Sequence, residues 1–192
     1  MGHQSIAVGR AGDLHEVPDG VALVEAAVWQ LAITALYGLE VGGQRAGAPV
    51  GVVGGGLLGV IVRRLAAARG ADVVMATARS AAKVRACRAE PVTAFSTDPG
   101  PWKCRPLLVL DVTDTPEGLV TALSAVEVGG IVMVLGSPRV TSAEVPLQAA
   151  FDRGVEVVGA HTVNLGEGRA AALTRSFFGF LGQGMFTGRT PS

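Results

Sequence analysis

Short apolar segments alternate with segments of helical period along most of the chain, and this alternation constrains the fold more than any other feature. Five segments are largely apolar and short enough to be buried strands: Pro49–Gly54, Ala71–Thr77, Arg105–Asp111, Gly130–Gly136 and Val155–Ala160. Six segments have helical character: Val21–Glu40, Gly56–Arg69, Ser80–Ala89, Pro116–Val126, Leu147–Arg153 and Gly168–Leu181. Strands that are apolar on both faces need helices on both faces of their sheet. We therefore predict a doubly wound, Rossmann-like α/β fold with a parallel sheet.

One domain of this kind accounts for nearly the whole chain. The 192 residues are 49% hydrophobic and 17% charged, a composition that can bury a sizeable core. A lead-in segment, residues 1–20, contains a short extended piece, Ser5–Val8, and ends in Val17-Pro18-Asp19-Gly20. We find no internal repeat and no long linker after it, and we predict a single Rossmann-like dinucleotide-binding domain over residues 21–192.

Charge and cysteine usage exclude several classes of function. Sixteen Lys and Arg residues balance sixteen Asp and Glu residues, without a run of one sign, so we expect no nucleic-acid partner. Cys87 and Cys104 form no CxxC pair, which indicates a reduced, cytoplasmic protein. The apolar stretch Val21–Leu39 contains Glu25 and Gln30, so we expect a buried helix and no membrane association.

A Gly-x-Gly-x-x-Gly motif lies between the first predicted strand and the helix that follows it. Gly54 permits a tight turn, Gly56 lets the backbone approach a pyrophosphate, and Gly59 lets the helix pack closely against the strand. The unpaired amides of the first helical turn, which contains Leu57 and Leu58, would face the phosphates. A glycine-rich turn can also serve only to join a strand to a helix, but its position here favours a dinucleotide site.

The end of the second predicted strand indicates which dinucleotide would bind. An acidic residue at this place would hold the adenosine ribose of NAD, but Asp72 lies at the beginning of the strand and Thr77 is followed by Arg79 and Ser80. The Arg79 guanidinium could hold a 2′-phosphate through paired donors, so we predict NADP(H) rather than NAD(H). The alternative is that Arg79 is a solvated residue opening a helix and that the turn binds no nucleotide.

Several segments, in order along the chain, resemble the nucleotide-binding half of the medium-chain dehydrogenase/reductase family, the alcohol dehydrogenase and quinone reductase group. The similar segments are Val17–Val21, Ala32–Leu36, Val50–Gly59, Gly129–Gly136 and Val155–Gly159. The resemblance spans Ser5–Phe186. It implies a nicotinamide cofactor site, with Thr34, Tyr37, Gly136 and Ser137 near the nicotinamide.

The same resemblance implies a truncated protein without catalytic zinc. Most of the family's separate catalytic domain has no counterpart in the sequence. Zinc-dependent members carry a cysteine ligand four residues before the helix threonine, and here Gln30 occupies that place before Thr34. Glutamine is a poor zinc ligand beside a thiolate. His3, His15 and His161 lie far apart in the sequence, so we expect no metal site.

Four side chains are candidate proton donors or acceptors. Tyr37 is the only tyrosine, although its helical spacing from Ile33 is also typical of a core residue. Asp111 follows the third predicted strand at the edge where ligands bind, as Asp114 does, although either could simply cap the loop. His161 follows the last strand and could serve as a general base.

These observations leave three functions open. The first is an NADP(H)-dependent oxidoreductase that reduces a carbonyl or enone of a small-molecule substrate. The second is a non-redox enzyme that isomerises, cyclises or dehydrates a small metabolite through Tyr37, Asp111 or His161, and the third is a non-catalytic partner of a full-length reductase. The last predicted strand would be an uncovered sheet edge. Members of the resembled family commonly dimerise there, so we expect a homodimer through Val155–Ala160.

Overall fold

A six-stranded parallel sheet forms the centre of the computed structural model, which describes residues 8–9, 14–72, 74–77, 94–96, 104–137 and 144–186. The strands are β1 (Val50–Val53), β2 (Val74–Thr77), β3 (Ala94–Ser96), β4 (Leu108–Asp111), β5 (Ile131–Val134) and β6 (Glu156–Gly159). Their order in the sheet is β3-β2-β1-β4-β5-β6, and every neighbouring pair is parallel. The predicted doubly wound α/β fold is confirmed.

Six described α-helices connect or cover the strands. They are α1 (Leu23–Ala26), α2 (Trp29–Val41), α3 (Leu57–Ala68), α4 (Pro116–Ala125), α5 (Leu147–Arg153) and α6 (Glu167–Gly182), with a 3-10 turn at Thr162–Asn164. None of these described helices has the length and apolarity needed to cross a bilayer. The predicted helix Ser80–Ala89 and most of the extended piece Ser5–Val8 lie outside the described residues.

Two hydrophobic clusters cover the two faces of the sheet, which explains why the central strands are apolar on both faces. On β1, Val52 belongs to the cluster formed with α2, α3 and α6, whereas Val53 belongs to the cluster formed with α4. Leu110 and Val109 of β4 divide in the same way. Successive strand residues point to opposite faces, so both clusters are filled from the same short strands.

Two features differ from the sequence-based expectation. The predicted helix Val21–Glu40 is two helices, because the chain turns at Ala27 and Val28 before α2 begins. Trp29 then donates a hydrogen bond from Nε1 to Thr174 Oγ1 on α6 at 3.0 Å, a tertiary contact that helical periodicity does not report. The strand β3 was not predicted, because a three-residue strand is too short to show a period.

Candidate functional site

An open cleft of about 720 Å³ lies at the carboxyl ends of the strands. It is centred where β1 and β4 lie side by side, with the chain leaving β1 towards α3 and leaving β4 towards α4. These two helices cover opposite faces of the sheet. Ligands of open α/β sheets bind at such a change of direction, so this cleft is the candidate site.

The glycine turn, Gly54–Gly59, forms one wall of the cleft, and its glycines have different reasons for being glycine. Gly54 has φ of +127°, which L side chains rarely adopt, and its N–H donates to the Thr77 carbonyl at 2.9 Å. A Cβ on Gly59 would overlap the Gly54 carbonyl oxygen. Gly56 has φ of −82°, which any residue adopts, and a Cβ there would have no described atom within 4 Å. Packing therefore requires glycine at 54 and 59, whereas the lack of a side chain at 56 leaves the cleft open.

The start of α3, at Gly56 and Leu58, lies in the wall of the cleft. Gly56 is the N-cap residue of α3 and provides no side-chain cap, so the N–H groups of the first turn are left for another acceptor. The partial positive charge of a helix start favours an anion at this place. Leu58 lines the cleft, whereas Leu57 and Gly59 do not belong to its lining.

The opposite wall is the threonine loop, Val112–Thr115, which follows β4. Asp111 ends β4 and is 2% exposed. Its Oδ1 accepts hydrogen bonds from the Thr113 amide at 2.9 Å and from Thr113 Oγ1 at 2.7 Å. Burial raises the pKa of Asp111 above its ordinary value of 3.8, against the opposing effect of these two bonds. Thr115 caps α4 by accepting a hydrogen bond from the Gly118 amide at 3.3 Å.

The far end of the cleft contains Thr34, Ser137 and His161. Thr34 Oγ1 donates to the Gln30 carbonyl at 3.0 Å. His161 Nδ1 accepts a hydrogen bond from the Val163 amide at 3.0 Å. A neutral His161 therefore carries its proton on Nε2, and the exposed ring can present a donor to the cleft.

Tyr37 lies outside the cleft lining and connects two helices. The guanidinium of Arg169 on α6 lies 4.8 Å from the centroid of the Tyr37 ring on α2. Arg169 also pairs with Glu40 of α2 at 2.9 Å. These contacts give Tyr37 a packing role between α2 and α6. Arg79, the predicted phosphate ligand, lies outside the described residues.

The structure brings most of the predicted cofactor residues to one cleft. Those that line it are Thr34, Gly54, Gly56, Leu58, Thr77, Gly136, Ser137 and, among the proton-transfer candidates, His161. The sequence reasoning did not single out Thr113, Thr115, Glu117 or Thr121, which also line it. A signal was present, since the hydroxyl residues follow a buried strand directly and so belong at its carboxyl edge.

Apart from His161, the ionisable side chains among the described lining residues are acidic. Asp114 and Glu117 line the wall beside α4. Among the described residues, no group of three or more His, Cys, Asp or Glu side chains is placed to hold a metal ion. The described electrostatic attraction for an anion therefore comes from the backbone at the start of α3.

Solved dehydrogenase structures share this fold. A protein of Sinorhizobium meliloti 1021, described as a zinc-binding dehydrogenase bound to NADP, is 23% identical, with a TM-score of 0.74 over 89% of this chain and 52% of its own. Alcohol dehydrogenase from Thermus sp. ATN1 is 20% identical, with a TM-score of 0.75 over 90% and 51% of the two chains. An alcohol dehydrogenase from Escherichia coli CFT073 complexed with NADH is 16% identical, with a TM-score of 0.72 over 89% and 51%.

No protein-family model and no curated protein sequence matches the chain. The chain spans about half the length of the solved structures it resembles. The expected resemblance is confirmed in the fold: the chain has the fold of about half of a zinc-binding or alcohol dehydrogenase polypeptide.

Proposed function

We propose that the cleft binds a nicotinamide dinucleotide, preferentially NADP(H), and that the chain is a zinc-independent oxidoreductase acting on a carbonyl or enone of a small metabolite. The observation that carries the proposal is the open space at Gly56 beside the uncapped start of α3. A pyrophosphate would fill this space and accept the free amides. The NADP and NADH bound to two of the similar structures support the same assignment.

Each part of the cleft has a separate role in this proposal. Gly54 and Gly59 hold the turn in place, while the amides that follow Gly56 bind the pyrophosphate. Thr77, at the end of β2, lies on the adenosine side, where Arg79 would bind the 2′-phosphate. At the other end, the residues beside the nicotinamide are Thr34, Gly136 and Ser137. When bound, the nicotinamide supplies or accepts hydride.

His161 is the proposed proton donor. Of the candidates for proton transfer that line the cleft, Asp114 and His161, His161 is the one with a ring N–H to donate. Its Nδ1 is held by the Val163 amide, so Nε2 is the atom that would give a proton to the substrate oxygen. Tyr37 and Asp111 do not belong to the cleft lining: the Tyr37 ring packs against Arg169, and Asp111 Oδ1 accepts from Thr113.

Calorimetric titration with NADPH and NADH tests the proposal. We expect micromolar binding of NADPH, and we expect Gly56→Ala to weaken it at least about tenfold because the new methyl group enters the phosphate space. Gly166→Ala is a matched control: Gly166 is the N-cap of α6, has extended backbone, and its Cβ would also meet open space. It lies outside the cleft lining and should leave binding unchanged.

Two results would contradict the proposal. One is the absence of binding of both dinucleotides at millimolar concentration. The other is equal weakening by Gly56→Ala and Gly166→Ala, which would show a general effect on helix ends. The preference for NADP(H) has its own test, because Arg79→Ala should weaken the binding of NADPH and leave the binding of NADH unchanged.

We also propose that two copies of the chain pair through β6. In the described part of the chain, no strand lies beyond β6. The amides of Glu156 and Ala160 point to β5, so the amides of Val157 and Gly159 face the open edge. Val157 is 46% exposed, and a second sheet edge would cover it and satisfy these amides.

Sedimentation of a charged variant tests this pairing. The wild type should be a dimer and Val157→Lys a monomer, because a lysine at the edge opposes pairing. Val128→Lys is the control, since Val128 is also exposed but lies in the turn before β5. A monomeric wild type, or a dimeric Val157→Lys, would contradict the pairing.

A further inference from the structure

Asp111 and Thr113 form a hydrogen-bonded unit behind the cleft, which we call the clasp. Asp111 lies at the end of β4, between β1 and β5, and is buried. One carboxylate oxygen, Oδ1, accepts from both the amide and the hydroxyl of Thr113. Hydrogen bonds to a charged group are stronger than those between neutral groups. The clasp therefore fixes the first turn of the threonine loop to the centre of the sheet.

Thr113 also lies in a slot between two glycines. A Cβ on Gly136, which follows β5, would overlap the Thr113 carbonyl oxygen. A Cβ on Gly118, in α4, would overlap Thr113 Oγ1 and lie 2.9 Å from Asp111 Oδ1. These close approaches require both glycines, and they leave Thr113 one position between the two elements.

The backbone of Asp111 fixes the neighbouring loop as well. Its carbonyl oxygen accepts hydrogen bonds from the amides of Leu135 at 2.8 Å and Gly136 at 3.1 Å. Thr113 and Gly136, which are held by the side chain and the backbone of this one residue, both line the cleft. Asp111 itself does not belong to the lining.

We infer that Asp111 is a positioning residue, which through Thr113 sets the threonine loop against the Gly136–Ser137 segment and so fixes the width of the cleft. The inference rests on the proposed binding of a dinucleotide in this cleft. It assigns Asp111 a different role from proton transfer, because Asp111 is buried outside the cleft lining and its Oδ1 accepts both hydrogen bonds from Thr113.

Substitutions of Thr113 test the clasp with the fold kept intact. Thr113→Val keeps the side-chain shape but removes the hydroxyl, and we expect NADPH to bind about tenfold more weakly. Thr113→Ser restores the hydroxyl and should bind within about twofold of the wild type. Asp111→Asn keeps an acceptor oxygen and should bind like Thr113→Ser, whereas a residue that exchanged a proton with the substrate would not tolerate Asn in turnover.

A second buried threonine provides the matched control. Thr174 on α6 is 4% exposed, accepts a hydrogen bond from Trp29 and lies outside the cleft lining. Thr174→Val should lower stability as Thr113→Val does but leave NADPH affinity unchanged. If Thr174→Val weakens binding equally, or if Thr113→Val binds within about twofold of the wild type, the positioning role is overturned.

Amide hydrogen exchange in the ligand-free protein tests the clasp independently of NADPH binding. In Thr113→Val, exchange of the Thr115 amide, which donates to Thr113 Oγ1 at 3.4 Å, should become about tenfold faster, while Val52 in β1 stays protected. Unchanged exchange at Thr115 would overturn the clasp even if NADPH binds. A wild type that binds no NADPH would instead reject the proposed function, and the exchange result would still decide the clasp.

Discussion

The two walls of the cleft are held in place by different kinds of contact. The glycine turn is local: the contact that requires Gly59 is made with Gly54, five residues away. The threonine loop depends on Asp111 and on glycines from two other elements, Gly118 and Gly136. A wall built within six residues can be recognised in the sequence, whereas the wall that also needs Gly136, 23 residues after Thr113, is complete only once the chain is folded.

Both walls depend on a glycine whose replacement should cause the largest loss of stability. A Cβ on Gly59 would overlap the Gly54 carbonyl oxygen, and a Cβ on Gly136 would overlap that of Thr113. Because backbone atoms must move in each case, we expect Gly59→Ala and Gly136→Ala each to lower the free energy of unfolding by about 3 kcal/mol. Urea unfolding measures both. A much smaller loss for Gly136→Ala would show that the threonine loop yields easily and that the two walls differ in rigidity.

The two walls should also differ in how pH affects stability, since the threonine loop is held by a buried carboxyl, that of Asp111, and the glycine turn is not. Burial raises the pKa of Asp111 above 3.8, so the folded chain holds this proton more tightly than the unfolded chain. The resulting stability is fully present below about pH 4 and is lost as pH rises through the folded-state pKa. Asp111→Asn should remove this loss.

Urea unfolding of wild type and Asp111→Asn from about pH 4 to about pH 8 measures the effect. Asp114 and Glu117, which lie on the same side of the cleft, are present in both proteins, so the difference between the two proteins reports Asp111. A wild type that gains stability relative to Asp111→Asn as pH rises would show that the Thr113 hydrogen bonds outweigh burial.

Gly56→Ala, for which we propose a large loss of NADPH binding, should have the smallest effect on stability. Gly56→Ala should change the free energy of unfolding by less than about 1 kcal/mol, because the backbone at Gly56 suits any residue and the N-cap preference is small. Gly166→Ala should change it by a similar amount. A large loss for Gly56→Ala alone would mean that Gly56 is needed for packing, which would remove the reason for assigning its open space to a ligand.

The extent to which the sequence predicts this molecule follows the same division between local and distant contacts. The buried strands were recognisable because they are apolar on both faces, and Leu147–Arg153 was predicted with its observed bounds. The break between α1 and α2, just before Trp29, was not recognisable, because it accompanies a contact between Trp29 and Thr174 of α6. Tyr37 was placed near the nicotinamide from the resemblance, but the partner that holds its ring, Arg169, is more than a hundred residues away in the sequence.

NMR shift mapping with NADPH tests the central claim, that the cleft at the carboxyl edge is a dinucleotide site. We predict shifts of the Gly55, Gly56 and Leu58 amides together with that of Ser137, because these residues line the cleft at both ends. A second groove of about 540 Å³ lies between residues 14–18 and α6. Shifts centred on that groove, or no shifts at saturating NADPH, would contradict the claim.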